Sequence, residues 1–289
     1  MVADATSIGS DTKGRITKTM LELYHHGSSV CAAKVRYALN IKGVVPDEMH
    51  YLDILKGDQF DPAYLKINPK AVVPALVHDD KIVNESTLIC EYIDEVFPGT
   101  NLIPDDPYQK TQMRLWTKAV DEQLHPACGE LTFVCCHRHI VMRLGKEALE
   151  EFLKATPDQS VTSRWKTRKQ EIVRMGFDAP GIADTIRLYD SYLAKMDDAL
   201  QKHEWVAGDT FSLADVGVAP YVNRLDMLSM SGLWANGRFP KVEEWFGKIS
   251  VAEPFKTAFL EWCPEDLTHD LKTFGAQSWP EVRQIVGIT

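Results

Sequence analysis

The sequence predicts an α+β protein: a βαβαββα layer domain over residues 20–98, a linker at 99–107, and an all-α domain over 108–262. Three observations predict it. Short apolar or alternating runs interleave with short helical patterns up to Val96. The stretch Ile103-Pro104-Asp105-Asp106-Pro107 then interrupts that pattern, and from about Tyr108 nearly every segment has helical spacing. Residues 1–19 are polar and rich in Gly, Ser and Thr, without the apolar centre of a signal sequence, and read as a flexible leader. The Pro- and Trp-bearing segment 263–289 is a C-terminal tail, which either covers a site or packs on the surface.

The first strand is Leu21-Glu22-Leu23-Tyr24, by its alternation; His25–Ser29 forms a loop, and a helical pattern runs from about Cys31 to Lys42 and stops at Gly43. A second strand lies near Glu48–Asp53 and a helix near Pro62–Ile67. Strands at Ala75–His78 and Lys81–Asn84 and a helix from Ser86 to Val96 complete the layer, before Pro98-Gly99 breaks the chain direction. In the second half, Phe211-Ser212-Leu213-Ala214-Asp215 has the form of a capping box. Ser212 caps the helix, Asp215 reaches back to the cap amide, and no chemistry is expected of either.

Composition narrows the function. With 32 Lys and Arg against 41 Asp and Glu the net charge is −9, which argues against a nucleic-acid partner, because phosphate backbones demand concentrated cations. No apolar run approaches the roughly 20 residues needed to span a bilayer, and the default location is the cytoplasm. The six cysteines are scattered as in a reducing compartment. Cys135-Cys136-His137-Arg138-His139 lacks paired zinc spacing, so no metal is expected.

Two segments carry the chemistry. A strand-edge backbone before Pro74 offers one N–H and one C=O to a peptide-like ligand, and the helix start at Glu85-Ser86 offers a hydroxyl, free amides and a carboxylate to an amino-acid head group. At Ser28-Ser29-Val30-Cys31, unpaired amides and the positive end of a helix dipole favour a thiolate. The plainer alternative makes Ser28 or Ser29 a helix cap and Cys31 a packed core residue. Trp116, Leu124, Phe133, His137, Met142 and Tyr221 are candidates for the wall of an aromatic-substrate pocket, although the same spacing also describes ordinary core.

Asn68-Pro69, Val73-Pro74 and Glu85-Ser86 together resemble the thioredoxin-like half of glutathione transferases. That resemblance implies a cis Pro74 and glutathione as co-substrate. Val73 would pair with its cysteinyl backbone, Glu85 and Ser86 would hold the γ-glutamyl group, Ser28 would help bind it, and Lys56 or Lys70 would meet the glycyl carboxylate. Ser29-Val30-Cys31 is similar to the Ser-x-Cys start of zeta-class transferases and tetrachlorohydroquinone reductive dehalogenases, which makes Ser29 the thiolate-stabilising serine and Cys31 a second catalytic candidate. Tyr24, on the strand, is the weaker candidate. Trp116–Glu122, Cys136–His139, the 147–177 segment and His203-Glu204-Trp205 resemble bacterial β-etherases, which use glutathione to cleave β-aryl ethers of lignin fragments. The resemblance implies a hydrophobic aromatic substrate and a homo- or heterodimer. Two alternatives stand beside ether cleavage: reductive dehalogenation or maleylacetoacetate-type isomerisation through Cys31, and non-catalytic binding of hydrophobic aromatics.

Overall fold

The computed structural model describes residues 8–10, 16–54, 56–155 and 163–288. Strands β1 (Ile8–Ser10) and β2 (Ile16–Lys18) pair antiparallel, with Gly9 opposite Thr17. Both strands fall within the stretch read as a flexible leader; β-branched Ile and Thr favour extended backbone, and the two segments satisfy one another's amides and carbonyls. Residues 1–7 and 11–15 of that leader lie outside the described residues.

The main sheet has the order β4-β3-β5-β6, built from β3 (Leu21–His25), β4 (Glu48–Tyr51), β5 (Ala75–His78) and β6 (Lys81–Asn84). β3 runs parallel to β4 and antiparallel to β5, with Leu23 opposite Met49 and Leu76. Leu21, Leu23 and His25 face inward because side chains alternate across a strand, and α1 (Val30–Lys42) and α3 (Ser86–Val96) cover that buried face. α1 stops where Gly43 takes φ 69°, a left-handed C-cap that avoids the cost of a Cβ. Asp61 caps the short α2 (Pro62–Ile67) by accepting the Ala63 N–H. The Val73–Pro74 peptide is cis.

The second half is helical: α4 (Pro107–Ala119), α5 (His125–Thr132), α6 (Arg138–Met142), α7 (Lys146–Ala155), α8 (Ser163–Met175), α9 (Ile182–Leu200), α10 (Leu213–Met227), α11 (Pro240–Ser250), α12 (Glu253–Phe259) and α13 (Glu265–Ile285). Asp106 caps α4 through the Gln109 N–H, with Pro107 at its first position. Wide π-helical turns at Val120–Leu124 and Phe133–His137 flank α5 and re-aim the side chains that follow. α10 is buried from Leu213 to Leu225 and packs against α1, so one hydrophobic core joins sheet and helices. Tyr37 of α1 meets Phe211, Phe255 and Phe259 edge-on.

The tail packs on the helical half. A Cβ on Gly275 of α13 would come within 2.1 Å of the Leu228 carbonyl oxygen, so only glycine permits that approach. Ser278 donates to the Cys135 carbonyl at 3.2 Å, and Arg143 bonds Asp270. Just before α13, the Trp262 carbonyl lies over Gly27, where a Cβ would be only 1.9 Å from its oxygen. Cys263, the first residue of the tail, lines a small cavity with Gly27 and Ser28 of the loop that leads into α1.

Candidate active site

The β3–α1 loop sets the site. Ser29 caps α1 with extended backbone (φ −69°, ψ 119°), and its Oγ accepts the Ala32 N–H at 3.2 Å. The cap uses a lone pair and leaves the hydroxyl proton able to donate to a sulfur beside the helix end. No acidic residue occupies the first turn of α1, so its positive end stays available to an external anion.

Three successive carbonyls of this loop accept from two guanidiniums. The buried Arg36 guanidinium donates to the His26 carbonyl at 3.2 Å and the Gly27 carbonyl at 3.0 Å, while Arg224 of α10 donates to the Ser28 carbonyl. Arg36 also reaches the Ala258 carbonyl at 2.9 Å and His25 Nδ1 at 3.1 Å. These bonds fix the backbone that leads into α1, where the Ser29 N–H also donates to the His26 carbonyl at 3.2 Å.

Cys31 is half-buried, with its Sγ 3.5 Å from His125 Nδ1 and 4.0 Å from the Tyr221 hydroxyl. The Tyr221 hydroxyl lies 3.3 Å from the same His125 nitrogen. Burial pushes the Cys31 thiol up, but His125, through charge and hydrogen bond, with smaller contributions from Lys34 and Ser86, outweighs it and brings the thiol down to about 6. Reciprocally, the Cys31 thiolate raises His125. Burial raises Tyr221 well above the ordinary phenol range, so it remains a donor. Lys34, one turn beyond Cys31, is buried and bonds Thr87 Oγ1 at 2.9 Å and Asp121 Oδ1 at 3.1 Å.

The site residues expected from sequence fall into two groups. Ser29, Cys31, Ser86 and Tyr221 come together at the α1 terminus, and Ser28 joins them through its carbonyl. Val73 and Pro74 precede β5, and Glu85 opens α3 at φ 72°, in the left-handed region where a non-glycine residue costs of order 1 kcal/mol or more. Lys70 and Glu85 form an ion pair, which puts Lys70 at the α3 start. Three others stand elsewhere. Trp116 is packed against Tyr192, with the Lys195 ammonium 4.4 Å over its ring, because its face of α4 turns to α9. Met142 is exposed at the end of α6, and Lys56 is exposed and tied to Asp53 at 3.0 Å. Leu124 and Phe133 are core.

Sequence reasoning missed His125, Lys34 and Arg224. His125 precedes Pro126 at a helix start, where it reads as punctuation. For Arg224 a signal existed: a guanidinium inside an otherwise apolar, buried helix. His137, on the second π-helical turn, is held neutral, near 3, by burial and then by Arg224 and His26. Asp215 is structural, as expected: it accepts from the Val206 and Ser212 amides and Trp245 Nε1, all at 3.0–3.1 Å.

The glutathione S-transferase N-terminal domain matches residues 23–101 and the C-terminal domain residues 177–248. Protein LigF of Sphingobium sp. (strain NBRC 103272 / SYK-6) is 30% identical over 252 residues, which cover 86% of this chain and 96% of LigF. Tetrachloro-p-hydroquinone reductive dehalogenase of Sphingobium chlorophenolicum is 26% identical over 249 residues, 82% of this chain and 95% of that one. Among solved structures, β-etherase LigF from Sphingobium sp. strain SYK-6 superposes with a TM-score of 0.73 at 28% identity, covering 84% of this chain and 99% of the other. The thioredoxin-like sheet, the open α1 terminus and these likenesses agree: the chain belongs to the glutathione S-transferase family and is a glutathione transferase, with glutathione as its co-substrate.

Proposed function

We propose that the chain uses the thiolate of bound glutathione to cleave β-aryl ether bonds of lignin-derived aromatic compounds, giving a glutathione thioether and a phenol. The observation that carries this reading is the likeness to β-etherase LigF, which extends over nearly the whole of LigF and 84–86% of this chain. In this reading glutathione lies with its γ-glutamyl end at Glu85 and Ser86, its cysteinyl backbone on Val73 and its sulfur beside Ser29. A ketone next to the ether carbon activates that carbon toward displacement, so the protein supplies mainly a positioned thiolate. The test is to incubate the protein with glutathione and an α-keto β-aryl ether and separate the products. Free phenol together with the matching thioether is expected. Neither product, with glutathione binding intact, would reject ether cleavage.

A second reading rests on Cys31, whose thiol beside His125 ionises near neutrality. Here Cys31 itself takes part, in glutathione-dependent reductive dehalogenation or isomerisation, passing in the former through a mixed disulfide. Cys31→Ser separates the two: ether cleavage survives the change, whereas the Cys31 route stops. A dimer of identical or related chains in the cytoplasm belongs to the same proposal, and sedimentation with and without candidate partner chains tests the assembly.

A further inference from the structure

Two buried guanidiniums flank the loop before α1, and they are satisfied to very different degrees. Arg36 bonds four acceptors, the carbonyls of His26, Gly27 and Ala258 and the ring of His25. Arg224, only 4% exposed, bonds just the Ser28 carbonyl; its Nε is buried without a partner, and among the described residues no carboxylate pairs with it. A buried cation left this way is costly, so the arrangement favours an anion from outside.

The surroundings say which kind. Arg224 lines a cavity of about 10 Å³ with Ser28, Val30, Asn223, Met227 and Cys263, room for about one water or one oxygen atom. His26 and His137 lie within its electrostatic reach, and the Nε2 of each is also buried without a partner. His26 Nδ1 faces the Leu52 carbonyl at 2.9 Å and must donate to it, so the neutral ring presents Nε2 as an acceptor. Neither imidazole supplies the missing negative charge. Arg224 and His137 both come from the helical half, whereas the proposed glutathione anchor at Glu85-Ser86 belongs to the sheet half, so the aryl ether and not glutathione is the source of the oxygen.

We propose that Arg224, through its unpartnered Nε and the cavity beside it, forms an anionic-oxygen subsite that receives the phenolate oxygen released by ether cleavage, a role that rests on the β-etherase reading. Glutathione thiolate attacks the carbon bearing the aryl ether; the C–S bond forms, the C–O bond breaks, and its electron pair goes to the aryl oxygen. The Arg224 N–H groups bond that oxygen as its charge develops, with the ring at the cavity mouth, and the phenolate takes its proton from solvent on release. Such a charged hydrogen bond in a water-poor site strengthens as the bond breaks, so it lowers the barrier rather than only holding substrate.

The test is a series of α-keto β-aryl ethers whose leaving groups run from 4-nitrophenol to phenol. Arg224→Met should slow cleavage of the phenyl ether by about a hundredfold and that of the nitrophenyl ether far less, steepening the dependence on leaving-group acidity. Arg224→Lys, which keeps a charge without the fork, should fall between. An equal loss across the series, or a change confined to the KM for glutathione, would show that Arg224 only braces the Ser28 loop and would overturn the proposal. A binding measurement stands apart from turnover: where 4-nitrophenol is ionised, the unaltered protein should bind 4-nitrophenolate about tenfold more tightly than nitrobenzene, and Arg224→Lys should weaken that preference. No preference in the unaltered protein overturns the subsite. If the preference is present but no aryl ether is cleaved, the β-etherase reading fails while the subsite stands.

Discussion

At the start of α1, Ser29 accepts the Ala32 N–H; at the start of α10, Ser212 accepts the Ala214 N–H, so two helix ends begin with the same kind of bond. They differ in what lies beyond it. In α10, Asp215 turns back to the Ser212 amide, also takes the Val206 amide and Trp245 Nε1, and is fully buried, burial pushing its carboxyl up to about 6. In α1 no acid closes the first turn; Cys31, His125 and Tyr221 gather there instead. A helix end satisfied by its own carboxylate braces the core, whereas an end left open can stabilise a charge that arrives with a ligand.

The contrast can be broken by exchanging stability for activity. Asp215→Ala leaves three buried donors without an acceptor and should destabilise the protein by about 3 kcal/mol or more, read as a lower denaturant midpoint. Activity per folded molecule should be unchanged. Ser29→Ala should show the reverse, costing about 1 kcal/mol of stability as a lost cap but about a hundredfold in kcat/KM for glutathione, with thiolate formation by bound glutathione moved to higher pH. A Ser29→Ala variant with the normal pH profile would make Ser29 no more than a cap.

His125→Ala sharpens the comparison on the thiol itself. Without the imidazole, Cys31 loses its main stabilising partner, and burial then dominates. Alkylation by iodoacetamide near neutral pH should slow about tenfold; an unchanged rate would mean that His125 does not charge the thiol. The smallest effect at neutral pH comes from His25 and His137, each held near 3 chiefly by burial. Both are neutral when folded but protonate near 6.5 when unfolded. Their contribution is therefore complete above about pH 6.5 and is lost as pH falls toward 3, because the unfolded chain binds more protons over that range. Melting temperatures taken downward from neutrality should fall accordingly, and a His137→Gln variant should fall less steeply.

Much of the fold was legible because its signals are local. The alternation of Leu21–Tyr24, the glycine after Lys42 and the Ser212–Asp215 box each lie within one element and specify where it begins or ends. The leader was read from polarity, whereas strands β1 and β2 rest on the pairing of two separate segments, which composition does not report. The tail could not be placed from its own residues, since its position depends on small-residue contacts such as Gly275 with Leu228 and Gly232 with Trp279.

The residues alone were enough to recognise the family, the layer order of the first half, a cap at Ser28 or Ser29 and the Glu85-Ser86 helix start. Only the tertiary structure decided what surrounds them: His125 lies 94 positions from Cys31, and Arg224 lies 196 from Ser28. A cap or a turn is set by backbone geometry over a few residues, whereas a lowered thiol or an unsatisfied guanidinium is set by distance and burial, which exist only once α1, α5 and α10 have packed together.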